Sequence, residues 1–212
     1  IGKNGTGKTQ LITSLPLGIS KKKDELFVPR TPFFSKVIAV SYSIFDHFEI
    51  PKKSTSFNYV YCGLKKENDE QFSEKGLVLR FYASWKKIQT QERLESWKRV
   101  LANFIDIVLI NYFIVDGNTQ IGEQAYKIDT VKFQETKKKL SSGQSIVFFI
   151  ITEIVANIRY DSLLLYDEPE THLHPNAITE LIYIIFELVT EFQSYCIIAT
   201  HSPVIIRELF SR

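Results

Sequence analysis

The apolar run Leu163-Leu164-Leu165-Tyr166 leads straight into Asp167, Glu168 and Pro169. A short continuous apolar run reads as a strand buried on both faces, as in a parallel sheet. Its two acids then stand at the carboxyl end of that strand, where open α/β sheets hold their ligands. One carboxylate can hold Mg2+, directly or through a water, while its neighbour orients and polarises an attacking water. A solvated strand end would carry the same two acids, so the pair alone decides nothing.

The first line of the chain supplies the missing half. Gly2-Lys3-Asn4-Gly5-Thr6-Gly7-Lys8-Thr9 matches the phosphate-binding pattern G-x-x-x-x-G-K-[ST] at every fixed position. Glycines let the backbone close into a nest of N–H groups that face phosphate oxygens. A helix starting near Gly7 adds its positive N-terminal dipole. Gly2, Asn4, Gly5, Thr6, Gly7, Lys8, Thr9 and Gln10 are the candidate ATP-binding residues, with Lys8 reaching the β- and γ-phosphates. Thr9 and Asp167 are the candidate Mg2+ ligands. A flexible glycine turn is the competing reading, and the acidic strand end downstream argues against it.

Two further stretches have the right chemistry. Leu140-Ser141-Ser142-Gly143-Gln144-Ser145 precedes a long apolar run, Ile146 to Ile158. Serines there cap the orphan N–H groups of a helix start, and the same helix start can grip a phosphate. Taken without the other motifs, the capping reading wins. Tyr195 to Thr200 reads as another buried strand, ending at His201-Ser202-Pro203. A histidine at that rim suits contact with a phosphate. His172 and His174 have a metal-like spacing but no third ligand near them in sequence.

These residues need elements to hold them. The spacing predicts a helix from Gln10 to Leu15, stopped by Pro16 and Gly18. Residues 21–32, with lysines at 21–23, read as an exposed loop. Lys36 to Ser43 reads as a central strand. The aromatics Phe45, Phe48, Phe57, Tyr59 and Tyr61 suit either edge-strand packing or base stacking, and packing is favoured. Leu94, Trp97, Leu101, Phe104, Ile105 and Val108 form the stripe of one amphipathic helix. Trp85 and Trp97 read as core. Asp116-Gly117-Asn118 marks a turn, and Ala177 to Leu188 a further helix. The expected organisation is an α/β core with a mainly parallel sheet. Its N-terminal part is 1–64, a mainly helical insertion covers 65–130, and its C-terminal part is 131–212.

Composition bounds the rest. The 212 residues, 44% hydrophobic and 24% charged, suit one sizeable core. A net charge of +2 neither demands nor excludes nucleic acid. Cys62 and Cys196 lack metal-ligand spacing, and reduced thiols in a cytoplasmic protein are expected. No apolar run reaches the roughly 20 residues that span a bilayer. There is no methionine, and the chain opens inside a motif, so a piece of a longer protein is expected.

The order of phosphate loop, Leu-Ser-x-Gly-Gln, acidic strand end and strand-end histidine resembles the ABC-type ATPase superfamily. The phrase Asp167 to Pro175 is similar to its branch of chromosome-maintenance, RecF-like and OLD-like ATPases rather than to membrane transporters. The stretch from Val37 to Phe48, with Ser43, Phe45, Asp46 and Phe48, resembles the PtuA ATPases of Septu-type and retron-linked antiphage systems. The superfamily resemblance implies a P-loop NTPase fold and an ATPase head that closes into a dimer over two ATPs. Ser141, Ser142, Gly143 and Gln144 of one subunit would then meet the γ-phosphate held by Lys8 of the other. Glu168 would be the general base, Asp167 the Mg2+ partner and His201 the γ-phosphate contact.

Three departures stand against this pattern. Ser142 replaces a glycine of the usual signature. No glutamine closes the Val37–Ser43 strand, where Ser41 or Ser43 would have to substitute. His174 stands where transporters carry an aspartate. The expected function is an ATP-hydrolysing switch that controls a partner, a nuclease acting on foreign DNA. The competitors are a weakly hydrolysing nucleotide-bound scaffold and a DNA-repair or chromosome-maintenance ATPase. DNA contact through Lys86, Lys87, Lys98, Arg99 and Lys137 to Lys139 is an open expectation, and a higher oligomer another.

Overall fold

The computed structural model describes residues 7–20, 27–43, 46–50, 58–65, 73–90, 93–117 and 126–210. They belong to two compact units, residues 1–76 with 157–212, and residues 77–156. The chain runs α1 (Lys8–Ser20), β1 (Lys36–Ser41), β2 (Tyr59–Gly63), α2 (Glu74–Thr90), α3 (Leu94–Ala102), α4 (Ile107–Tyr112), β3 (Ile114–Asp116), β4 (Tyr126–Ile128), α5 (Thr130–Lys139), α6 (Ser142–Asn157), β5 (Ser162–Asp167), α7 (Pro175–Glu191), β6 (Tyr195–Ala199) and α8 (Pro203–Phe210).

The first unit is an α/β layer structure. Its described strands form one parallel sheet in the order β2-β1-β5-β6. Both β1 and β5 are buried along their whole length, which their unbroken apolar sequences require. Alternate residues of a strand face opposite sides. Val37, Ala39, Leu163, Leu165 and Ala199 pack with Ile12 and Ile19 of α1 and with Phe48, Tyr59 and Tyr61. Ile198 points the other way, onto Ile178 and Ile182 of α7 and Ile205 of α8. The expected α/β fold with a mainly parallel sheet is the observed one.

Four details differ from the sequence reading. Pro16 lies inside α1, which continues to Ser20. The proline removes one backbone bond, but Ile12 and Ile19 are buried on either side of it, and that packing holds the helix together. Strand β6 is only half-buried, with Tyr195 56% and Ile197 43% exposed, because among the described residues it stands at the sheet's edge. The single helical stripe from Leu94 to Val108 is two helices. Asp106 accepts the Val108 N–H at 2.8 Å and starts α4, an N-cap that interrupts the period. Finally, the compact unit spans 77–156 rather than 65–130, so α5 and α6 group with the preceding helices.

That second unit is built on aromatic packing. Phe81 and Phe133 stack with centroids 4.4 Å apart, and Phe148 meets both, together with Trp97 and Phe113. Trp85 and Trp97 meet edge to face as core, and the Trp97 indole donates to the Thr152 hydroxyl at 3.0 Å. Tyr59 and Tyr61 are buried in the first unit's core, so edge-strand packing accounts for them. Phe45, Phe57 and the lysines at 21–23 lie outside the described residues.

Gly63 ends β2 where there is no room for a side chain. A Cβ there would collide with the Tyr61 ring and with the Ser41 carbonyl. The Tyr61 hydroxyl donates to the buried Asp46 carboxylate, so the ring cannot easily swing away. Gly63→Ala should therefore lose about 1–3 kcal/mol of unfolding free energy, measured by urea denaturation of the metal-free protein.

Candidate functional site

Gly7 has φ +78°, a left-handed conformation that glycine adopts without strain, and α1 begins at the next residue. The first helical bond runs from the Leu11 N–H to the Gly7 carbonyl at 2.8 Å. Lys8 and Thr9 therefore occupy the first turn, beside the helix's positive end. Gln10 is exposed next to them. Gly2, Asn4, Gly5 and Thr6 lie outside the described residues.

Asp167 ends β5 and is only 3% exposed across the residue. By strand alternation it shares a face with Leu163 and Leu165, the face that α1 covers. Across 158 residues of sequence, the Thr9 hydroxyl donates to Asp167 Oδ1 at 3.2 Å. Burial pushes the Asp167 carboxyl up to about 6, helped by the charges of Glu168 and Asp46 and opposed by the Thr9 hydrogen bond and His47. A buried carboxylate beside two others is a place where a cation stabilises the charged form. The hydroxyl and carboxylate oxygens are the hard donors Mg2+ prefers, and so the residues present fit that ion.

Ser41 is the register partner of Asp167 on β1. It is fully buried, and its hydroxyl has no hydrogen-bond partner among the described residues. It lies where the resemblance would place a glutamine. Ser43 is buried just beyond it.

Glu168 has φ +48°, a strained conformation for a residue with a side chain, costing on the order of 1–3 kcal/mol. Its N–H donates to the Ala199 carbonyl at 2.8 Å, and its carbonyl accepts from the Thr171 N–H at 3.0 Å. Those bonds hold its backbone in the turn that follows β5. His201 Nε2 lies 3.8 Å from Glu168 Oε1, with both side chains partly exposed. The ends of β5 and β6 and the first turn of α1 thus bring Thr9, Asp167, Glu168 and His201 to one rim.

Sequence reasoning left Asp46, His47 and Glu170 without a role at this rim. Asp46 is buried, and burial raises its carboxyl above the usual range. It accepts from the Tyr61 hydroxyl and from the Phe48 N–H at 2.8 Å. The usable signal was position. Asp46 and His47 follow the carboxyl end of β1, the same rule that singled out Asp167 on β5. Glu170 accepts from the Thr200 hydroxyl and the His201 N–H, which only the fold reveals.

The Ser141–Gln144 turn belongs to the 77–156 unit. It is a reciprocal capping box at the start of α6. The Gln144 N–H donates to Ser141 Oγ at 3.2 Å, and the Ser141 N–H donates to Gln144 Oε1 at 3.0 Å. Gln144 Nε2 also donates to the Phe104 carbonyl at 3.2 Å. Ser142 and Gly143 form the first turn of α6. His172 and His174 are exposed, and among the described residues no group of three His, Cys, Asp or Glu could hold a metal. Among the described residues Cys62 and Cys196 form no disulfide. No helix of the described residues is long and apolar enough to cross a membrane.

The raised Asp167 carboxyl has a consequence for stability. In the unfolded chain it titrates near 3.8, and in the metal-free fold near 6. Between those values the folded state binds more protons, so folding loses stability as pH rises through roughly 4–6. Asp167→Asn should be more stable than the wild type at pH 8 by up to about 3 kcal/mol, at 1.36 kcal/mol per pH unit. The gap should close near pH 4. Urea denaturation in EDTA at the two pH values checks both parts.

Among known proteins, Protein ea59 of Escherichia phage lambda is 30% identical to this chain over 240 aligned residues. The alignment covers 99% of this chain and 46% of that protein, so the chain spans about half the relative's length. No solved structure matches it. The model of the family described as "AAA domain, putative AbiEii toxin, Type IV TA system" matches residues 64–207, well over half of the chain, and the chain belongs to that family.

Proposed function

We propose that this chain is an ATP-hydrolysing switch of the ABC type, which dimerises on ATP and controls a partner effector. The observation that carries the reading is the Thr9–Asp167 hydrogen bond, with Glu168 and His201 on the same rim. It supports a site for a nucleotide triphosphate and its cation at one end of a parallel sheet. The family supports nucleotide binding and ATPase activity in general terms.

Each residue has a distinct task in this reading. Lys8 neutralises charge on the β- and γ-phosphates. Thr9 and Asp167 hold Mg2+, which when bound offsets the charge that develops on the phosphoryl oxygens. Glu168 accepts a proton from the attacking water. His201 donates to the γ-phosphate. Ser141, Ser142, Gly143 and Gln144 present a rigid, capped helix start to the nucleotide of a second copy. The same capping box is a complete structural explanation of Ser141 and Gln144, so their role toward ATP rests on the resemblance.

The effector is proposed to be a nuclease acting on foreign DNA, in a cytoplasmic setting. The resemblance of Val37 to Phe48 to PtuA ATPases motivates that step. The toxin named in the family's description agrees with an effector role, and the phage origin of ea59 allows the switch to serve a phage as well as its host. A nucleotide-bound scaffold is the second reading, favoured by Ser142 in the signature and by Ser41 in place of a glutamine.

Turnover and assembly separate the two. Glu168→Gln should lower phosphate release by about 100-fold or more and leave an ATP-dependent dimer on size exclusion. Lys8→Ala should abolish both. Equal phosphate release by wild type and Glu168→Gln would remove Glu168 from the mechanism, and a dimer with negligible wild-type release would favour the scaffold.

A further inference from the structure

Glu170 lies two residues beyond the proposed base, in the turn that follows β5. Its Oε1 accepts from the Thr200 hydroxyl at 2.8 Å and from the His201 N–H at 2.7 Å. Thr200 Oγ1 in turn accepts from the Ser202 N–H at 2.9 Å. One carboxylate oxygen therefore fixes three successive residues after β6, with His201 in the middle. Charge-assisted bonds of this length are the stronger class. β6 ends at Ala199, so Thr200, His201 and Ser202 lie beyond the strand.

We infer that Glu170 is the positioning residue for His201, clamping the β6 turn to the β5 turn so that the imidazole stays beside Glu168. The inference rests on the proposed role of His201 toward the γ-phosphate. The imidazole and the Glu168 carboxylate are 3.8 Å apart, and both are partly exposed, so their own contact is too weakly held to set that spacing. The backbone bonds beside it contribute to that spacing. Glu168 is anchored through its N–H on the Ala199 carbonyl, and His201 through its N–H on Glu170. Together these two bonds staple the strand ends in both directions.

The second oxygen sharpens the test. Among the described residues Glu170 Oε2 is buried without a hydrogen-bond partner, as is the Tyr166 hydroxyl, whose phenol is pushed up by burial, by Cys196 and by the Glu170 charge. Replacing Oε2 by an amide nitrogen breaks no bond. Glu170→Gln keeps an oxygen for Thr200 and His201, whereas Glu170→Ala removes both acceptors.

The experiment combines turnover with a structural readout on the metal-free, nucleotide-free protein. Glu170→Ala should lower kcat by about tenfold to 100-fold, in the range expected for a misplaced group, with KM for ATP changed less than about twofold. Glu170→Gln should restore most of the loss. In a His201→Ala background, Glu170→Ala should cost nothing further. The His201 ring resonances in a proton–carbon NMR spectrum should shift and broaden in Glu170→Ala and in Thr200→Val, and hold in Glu170→Gln. Ring resonances unmoved in Glu170→Ala, or a kcat loss that multiplies with His201→Ala, would overturn the inference. If wild type hydrolyses no ATP but the resonances behave as expected, the hydrolysis reading falls and the clamp stands.

Discussion

The buried carboxylate of Asp167 is the constraint around which this fold is arranged. A charge with so little solvent contact is costly, and here it lies among the further acids Asp46 and Glu168. One hydroxyl, from Thr9, reaches it from the opposite end of the sequence. That contact requires α1 to lie across β5 and β6, with its first turn at the strands' carboxyl ends. The apolar face shared by α1 and the sheet supplies the burial that holds it there.

Strain is placed at the same rim. Glu168 takes a left-handed conformation that its side chain disfavours, and His172 does the same four residues later, with φ +66°. Two backbone bonds hold Glu168, one of them to β6. The carboxylate of Glu170 then fixes the β6 turn from the other side. A parallel sheet thus gives its ligand end more than proximity. Register sets Ser41, Asp167 and Ala199 level with one another, and the turns beyond them are cross-linked by side chains rather than by the ladder.

The aromatic unit, residues 77–156, shows a second use of the same economy. Phe148 and Thr152 of α6 pack within the ring cluster and take the Trp97 indole bond. The first turn of α6 is closed by Ser141 and Gln144 and tied to the Phe104 carbonyl. A rigid helix start is therefore built from the inside of its unit outward. That rigidity is what a phosphate-facing helix end requires. It is equally what any buried helix needs at its N-terminus, and this is why the turn has two sufficient explanations.

Much of the candidate site was legible in the linear sequence. The phosphate-loop spacing, the apolar run into Asp167 and Glu168, and the strand into His201 each depend on local rules: glycine freedom, β-burial and strand-end position. Helix breaks were less legible. Pro16 is tolerated because Ile12 and Ile19 are buried around it, and Asp106 splits one apolar stripe because its side chain caps α4. Residue types and short spacings thus fixed the α/β class and the identity of the candidate groups. Only the tertiary structure decided which acids are buried, that Thr9 meets Asp167, that β6 lies at the edge of the described sheet, and that Glu170 holds His201. The physical reason is that charge burial, register and cross-strand hydrogen bonds are properties of residues far apart in sequence, and no local pattern encodes them.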